Sequence, residues 1–470
     1  MILWQRDTGH RVTRNLSGEK EMQLPEKYVN SMKELLADEF DSYMESFNEK
    51  RLYGLRVNTA KISVEDFMKI CPFHIERIPW IPNGFYYSEN DKPAKHPYYF
   101  AGLYYLQEPS AMTPAYVLPV NKGDKVLDLC AAPGGKSTEL GAKLSGTGLL
   151  VSNDISASRA KALVKNIEVF GIGNVVITCE YPEKLVAKFP EFFDKILVDA
   201  PCSGEGMFRK DNKLIKSWEQ EGPEFYSPIQ RGILNSAAAM LKEGGYILYS
   251  TCTFSKMENE DNIRNFLDRH SDFELVKIFD YEGFVRAYGM NEAVRLFPHH
   301  LKGEGHFVAL IHKKGTLSEN LKCNSLKASK LPDEITDFIK ELSCDIDTDS
   351  IRIINDKVYI MPPMIDNLNG IRTLRTGLLF GELKTKRFEP SQAFAMTLKM
   401  NEYSTTVNLS VDDINVIKYL KGETIEINQE NIRGNAKNIL VCVDGFPLGW
   451  GRLNGTTIKN KYLSGWRWML

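Results

Sequence analysis

Two cysteines and an aspartate stand where apolar runs stop. Ile196-Leu197-Val198 leads into Asp199-Ala200-Pro201-Cys202, and Leu248-Tyr249-Ser250-Thr251 leads into Cys252. Such runs read as buried parallel strands, and ligands bind at the shared edge formed by their carboxyl ends. A lone buried cysteine behaves as a small apolar residue. A thiol just past an acid-Ala-Pro turn, with a second closing a neighbouring strand, points instead to nucleophilic catalysis. Asp199 is placed to hold charge that develops on a reacting ring. Spacing alone lets either cysteine attack.

A third strand end explains what such thiols would serve. Val126 to Cys130 is a short apolar run, Ala131-Ala132-Pro133-Gly134-Gly135 is a turn of small residues that lets a ligand approach the backbone, and Lys136-Ser137-Thr138 opens a helix with Ser137 or Thr138 as its cap. Strand, Gly-rich turn and helix form the nucleotide-binding opening of a doubly wound sheet. A phosphate-binding loop would need a glycine where Cys130 stands. The other reading is a nucleoside cofactor without a phosphate chain, which requires a carboxylate at the next strand tip for the ribose hydroxyls. Asp154 supplies one, 19 residues after Gly135.

If that cofactor is S-adenosylmethionine, oxygen and nitrogen acceptors need no covalent help, because the sulfonium methyl is already electrophilic. Carbon 5 of a pyrimidine does need it: a thiolate must add at carbon 6 to make carbon 5 nucleophilic. Loss of the carbon 5 proton and release of the thiol then call for further groups. Two cysteines and Asp199 match that demand.

The elements around these tips form a regular series. Helices are expected over 158–170, 229–241 (ended by Gly244-Gly245) and 258–268, and strands over 175–179, 195–199, 246–252 and 306–312. This alternation implies a largely parallel sheet covered on both faces. Upstream, 24–47 suits two short amphipathic helices and 52–58 a strand. Aromatics at 80–87 and 96–100, with Arg56, Lys92 and Lys95, leave open an RNA-facing surface or plain aromatic packing. Downstream, short helices and strands are expected over 332–342, 351–354, 358–361 and 391–400, with strands at 439–443 and 448–453. In the tail, Lys459, Lys461, Tyr462, Trp466, Arg467 and Trp468 suit backbone contacts and stacking, or a buried aromatic hairpin.

At 470 residues the chain holds several domains. The expected divisions are 1–22 (a disordered or artefactual extension), 23–118 (a small α+β RNA-binding domain), 119–314 (the catalytic core), 315–388 (an intermediate domain) and 389–470 (a second RNA-binding region). With 43% hydrophobic and 26% charged residues the composition is that of a soluble globular protein, and a net charge of −2 confines any basic surface to local patches. The eight cysteines (71, 130, 179, 202, 252, 323, 344 and 442) include no C-x-x-C pair. No zinc ribbon and no metal are therefore expected. Free thiols without a signal peptide indicate the cytoplasm, and no apolar run is long enough for a membrane span. A monomer is the default.

The strings DLCAAPGGKST (128–138), Asn153-Asp154, DAPCSGEG (199–206) and STCTFSKMENE (250–260), with YLQEPSAM (105–112) and GEGHFVALI (303–311), resemble the Nol1/Nop2/Sun family of RNA cytosine-5 methyltransferases. The tail from Asp444 to Trp468 is similar to the PUA-like C-terminal domain of the family's bacterial small-subunit rRNA branch. The resemblance implies an α/β, Rossmann-like S-adenosylmethionine-dependent core, between a small α+β N-terminal domain and a PUA-like RNA-binding region. It implies Cys252 as the attacking thiolate, Cys202 assisting release of the methylated base, and Asp199 between cofactor and target. Cys130, Ala131, Ala132, Pro133, Gly134, Gly135 and Lys136 would contact S-adenosyl-L-methionine, with Asp154 on the ribose. Family members often carry an aspartate after the third strand, near the adenine; here Glu180 stands in for it. The implied substrate is 16S rRNA or the 30S subunit. A tRNA methyltransferase shares the same core, and a non-catalytic ribosome-assembly factor would have lost a thiol.

Overall fold

A computed structural model describes residues 11–12, 22–317, 330–362, 364–365 and 368–469. The expected extension over 1–22 falls outside the described residues, apart from 11, 12 and 22. Five parallel strands form the centre of a ten-stranded sheet, in the spatial order Leu241–Thr251, Phe193–Asp199, Lys125–Asp128, Leu149–Asn153 and Val175–Thr178. The strands are nearly continuous runs of buried residues (Leu149–Asn153 is buried throughout) because apolar clusters cover both faces of the sheet. From Lys125–Asp128 the chain builds outward on one side, then returns to build on the other. That reversal opens a crevice between the tips of Lys125–Asp128 and Phe193–Asp199.

His306–Lys313 closes the core antiparallel to Leu241–Thr251. Three strands that the sequence pattern did not disclose, Phe273–Val276, Phe284–Ala287 and Met290–Leu296, extend this side of the sheet. At the opposite edge Thr373–Thr376 pairs antiparallel with Val175–Thr178, so the segment following the core returns to complete its sheet. The long helix runs over Pro223–Met240, with proline at its first turn, and the next strand begins directly at Leu241. Gly244-Gly245 does not separate helix from strand as expected. The pair lies within the strand, where the register with Phe193–Asp199 shifts and Gly244 takes φ +72°.

The N-terminal region is an antiparallel four-stranded sheet in the order Ile75–Arg77, Gly84–Tyr87, Tyr53–Val57 and Tyr104–Leu106. Two helices, Glu26–Leu36 and Phe40–Ser46, bury Tyr28, Met32, Leu36 and Tyr43 against Phe208, Trp218, Phe254 and Phe297 of the core. These helices thus pad the segments that follow both site cysteines. Arg56 is not on an RNA-facing surface: it is 1% exposed and its Nε lies 3.0 Å from Glu139 of the first core helix.

Beyond the core, a four-stranded sheet spans Ile351–Pro390, and a six-stranded sheet with the helix Ile414–Lys421 forms the C-terminal region. In the tail, packing claims the flat rings. Tyr462 and Trp466 are buried, and Trp468 stacks on Phe100 at 5.7 Å, leaving Lys459, Lys461 and Arg467 exposed.

Candidate active site

The Gly-rich turn joins the Lys125–Asp128 strand to the Gly135–Leu144 helix. Its N-cap is Gly134 at φ +111°, with no side-chain cap, where Ser137 or Thr138 was expected. Those hydroxyls are used inside the first turn. Ser137 donates to Asp128 Oδ2 at 2.6 Å, and Thr138 Oγ1 accepts from Arg56 at 2.8 Å. Burial raises the Asp128 carboxyl to about 7 despite the Ser137 hydrogen bond.

A cleft of about 300 Å³ lies between this turn and the N-terminal sheet, bounded by Cys130, Ala131, Ala132, Pro133, Gly135, Lys136 and Asp199 on one side and by Tyr105, Gln107 and Glu108 on the other. Arg51 and Lys210 add two cations to its lining. Gly135 fits the crowding of this wall: a Cβ there would meet the Gln107 and Tyr105 side chains at 3.1 Å.

Lys136 reaches across to Asp199, Nζ to Oδ2 at 2.7 Å, and Ser250 donates to the other oxygen at 2.7 Å. Burial pushes the Asp199 carboxyl up, yet the Lys136 charge and these hydrogen bonds outweigh it and hold the group below the usual carboxylate range. Asp199 pairs in register with Ser250, which places Cys252 two residues past its partner. Cys202 and Cys252 meet at Sγ–Sγ 3.2 Å. The hydrogen bond with Cys252, followed by burial, raises Cys202 well above an ordinary thiol, so it stays protonated.

The turn bearing Cys202 is anchored from below. Glu258 accepts from Ser203 N at 3.0 Å, Ser203 Oγ at 2.5 Å and Gln230 Nε2 at 2.8 Å, while burial lifts its carboxyl to about 7. Beside the Asp199–Lys136 pair, buried His306 meets Ser110 at 2.8 Å. Ser110 spends its proton on Glu108 at 2.5 Å, so it accepts from His306 Nδ1–H and sets that tautomer. Burial pushes the imidazole down to about 4, which keeps it neutral.

Asp154 ends the Leu149–Asn153 strand, with one oxygen taking the Ala132 N–H at 3.1 Å and the other the Ser156 N–H at 2.9 Å. It therefore ties the Gly-rich turn to the next strand tip. Glu180 is spent structurally: it accepts from Arg372 N at 2.9 Å and pairs with Lys184 at 3.1 Å. Next to these acids stand two side chains the sequence reading passed over, Ile155 (58% exposed) and Tyr181 (65% exposed), apolar surfaces held open to solvent at the strand tips. An apolar residue directly after a strand-tip acid was the available signal for both. Glu258, Ser110 and His306 gave no such signal, because their partners are distant in sequence.

Residues 115–312 match the model of the 16S rRNA methyltransferase RsmB/F family, and residues 24–109 that of the N-terminal domain of 16S rRNA methyltransferase RsmF. Residues 337–398 match the RsmF first C-terminal domain and 406–468 the methyltransferase RsmF PUA domain. The chain is 31% identical to ribosomal RNA small subunit methyltransferase F of Erwinia tasmaniensis, over 93% of this chain and 95% of that protein. It is also 31% identical to the Aeromonas salmonicida protein of the same name, over 89% and 92%. A methyltransferase homologue from Pyrococcus horikoshii shares 29% identity at TM-score 0.54, covering 62% of this chain and 95% of that one. NSun6 from the same organism, solved with SFG, shares the fold at TM-score 0.53 and 22% identity, covering 62% and 99%. No helix among the described residues is long and apolar enough to cross a membrane. With a Rossmann-like core, an N-terminal domain and a PUA domain all matched in order, the chain belongs to the ribosomal RNA small subunit methyltransferase F family, the 16S rRNA branch of the Nol1/Nop2/Sun methyltransferases.

Proposed function

We propose that this rRNA methyltransferase forms 5-methylcytidine in 16S rRNA through a covalent adduct between Cys252 and carbon 6 of the target cytosine. The observation that carries the reading is the pair of thiols 3.2 Å apart beside the Lys136–Asp199 ion pair. Acceptors other than a pyrimidine carbon would have no use for this pair.

The residues present fit S-adenosylmethionine. Cys130 to Pro133, with Gly135 and Lys136, line the cleft, Asp154 follows the adjacent strand, and Ile155 and Tyr181 offer apolar faces for an adenine. Glu180, tied to Arg372 and Lys184, serves this edge by fixing the loop that carries Tyr181. When bound, the cofactor supplies an electrophilic methyl group.

The chain's own groups divide the remaining work. Either sulfur of the pair can donate to the other, so the choice of Cys252 as the nucleophile, which spacing left open, rests on the resemblance to the Nol1/Nop2/Sun family, with the Cys202 S–H as its neighbour. Addition of the Cys252 sulfur to carbon 6 moves electron density toward carbon 5 and the ring nitrogen. The Lys136 ammonium offsets that developing negative charge, while Asp199, held ionised beside it, accepts a hydrogen bond from the exocyclic amine and orients the base. After methylation solvent water takes the carbon 5 proton, its bonding pair restores the carbon 5–carbon 6 double bond, and the carbon 6–sulfur pair returns to Cys252 as a thiolate. The Cys202 S–H stabilises the departing sulfur. The base must leave its stack to reach these groups, and Arg51 and Lys210 suit the phosphates flanking it.

The test is transfer of tritium from labelled S-adenosylmethionine to 16S rRNA, assembled 30S subunits and tRNA, followed by nucleoside analysis. Label in 5-methylcytidine of 16S rRNA or 30S is the expected result. Label in tRNA alone would overturn the substrate, and label in any other nucleoside would overturn the mechanism.

A further inference from the structure

We propose that Glu39, His299 and His300 form a binding site for a divalent cation of the zinc class, which fastens the N-terminal helices to the loop behind Cys252. Glu39 ends the single turn Ala37–Glu39 between the helices Glu26–Leu36 and Phe40–Ser46. His299 and His300 follow the core strand Met290–Leu296. One oxygen of Glu39 lies 3.1 Å from His300 Nε2 and 3.5 Å from His299 Nε2, and the three donor atoms all fall within 4.8 Å of one another.

Those separations suit a cation. A tetrahedral ion with bonds of about 2.0–2.1 Å spaces its ligands roughly 3.3–3.4 Å apart. As a hydrogen bond the 3.5 Å separation is too long, and one carboxylate oxygen shared by two adjacent, mutually tilted imidazoles is a poor use of both rings. The rings stand 4.2 Å apart, close enough to serve one ion. His299 is 4% exposed, and among the described residues its other nitrogen, Nδ1, has no hydrogen-bond partner that would dictate which nitrogen carries the proton. Glu39 and His300 are 50% and 30% exposed, which gives an ion its entry path and leaves a fourth position for water.

The donor set selects the class of ion. Two imidazoles and one carboxylate suit zinc and its neighbours, whereas magnesium and calcium prefer oxygen alone. Cysteine spacing gave no hint of it, because Glu39 and His299 are 260 positions apart. The site's place gives it a purpose. The Tyr43 ring packs 5.6 Å from both His299 and Phe254, two residues past Cys252. A cation here would fix the helix pair against the segment that holds the nucleophile.

The experiment titrates the full chain, freed of metal by chelator dialysis, with zinc chloride and cobalt chloride. Expected are one equivalent bound, cobalt d–d bands of a four-coordinate site without a thiolate charge-transfer band, and a higher thermal midpoint with zinc. Glu39→Gln and His300→Ala, both at partly exposed positions, should each weaken binding at least about tenfold. A Cys202→Ser/Cys252→Ser double variant should retain it. Absence of binding, binding indifferent to Glu39→Gln and His300→Ala, or binding that vanishes with the two cysteines would each overturn the proposal.

Discussion

The backbone N–H of Cys252 points at the Cys202 sulfur, 3.3 Å away, while the two sulfurs themselves lie 3.2 Å apart. Cys202 is thereby held against the strand end that carries Cys252. If Cys202 aids departure of the Cys252 sulfur, Cys202→Ala should stall turnover after methyl transfer. A covalent protein–RNA species should then accumulate on denaturing gels. Cys252→Ala should yield neither adduct nor product. Adduct from the Cys252 variant would reverse the two roles.

Lys136 governs the charge of Asp199. In Lys136→Met, burial acts on the aspartate without its main counterweight, so the carboxyl protonates at a higher pH. The acid limb of the pH–rate profile should move upward, and the rate at neutral pH should fall by about 10²-fold or more. An unmoved acid limb would show that Asp199 is not the group titrating there.

Arg56 and Glu139 form a buried bridge between the N-terminal sheet and the first core helix. Removing one partner strands the other without compensation, at a cost of about 3–5 kcal/mol. Arg56→Met should thus lower the thermal midpoint sharply, and the double change with Glu139→Met should recover much of the loss. Equal destabilisation in both variants would count against a charge effect.

Glu258 makes stability depend on pH in an unusual direction. Its folded carboxyl titrates near 7 against an ordinary 4.5 because of burial. A raised carboxyl contributes stability that is full below the ordinary value and is lost as pH rises through 7. The swing is on the order of 3 kcal/mol. Denaturant titrations across pH 4.5–7 should show a smaller decline in Glu258→Gln than in the parent chain. Parallel curves would contradict the assignment.

How much was legible follows from how far apart in sequence the partners lie. The strand tips carrying Asp128, Asp154, Asp199 and Cys252 announced themselves, because a buried strand is a run of apolar residues and its end is the first polar one. The sheet's outer strands did not. Phe284–Ala287 is short and mostly half-buried, and Met290–Leu296, though largely buried, carries Asn291, Glu292 and Arg295 among its apolar residues, so neither reads as an apolar run. Gly134 displaced the expected caps because Ser137 and Thr138 had partners, Asp128 and Arg56, that only the tertiary fold supplies. The tail's rings read as a stacking surface or as a buried aromatic hairpin, and the fold decides for packing: Phe100, more than 360 positions earlier, occupies Trp468. Glu180 looked like a ligand for adenine until Arg372 came back across the edge to claim it.

The strand Thr373–Thr376 that brings Arg372 there carries a further consequence. It covers backbone amides and carbonyls of Val175–Thr178 that would otherwise face water as an open, largely apolar margin. A methyltransferase truncated after Lys314 would leave that margin bare, and bare margins of this kind recruit strands from neighbouring molecules. The chain is for this reason not modular in the way its successive regions suggest. The catalytic portion should be insoluble alone, and protease nicks beyond residue 314 should leave the two fragments associated until denatured.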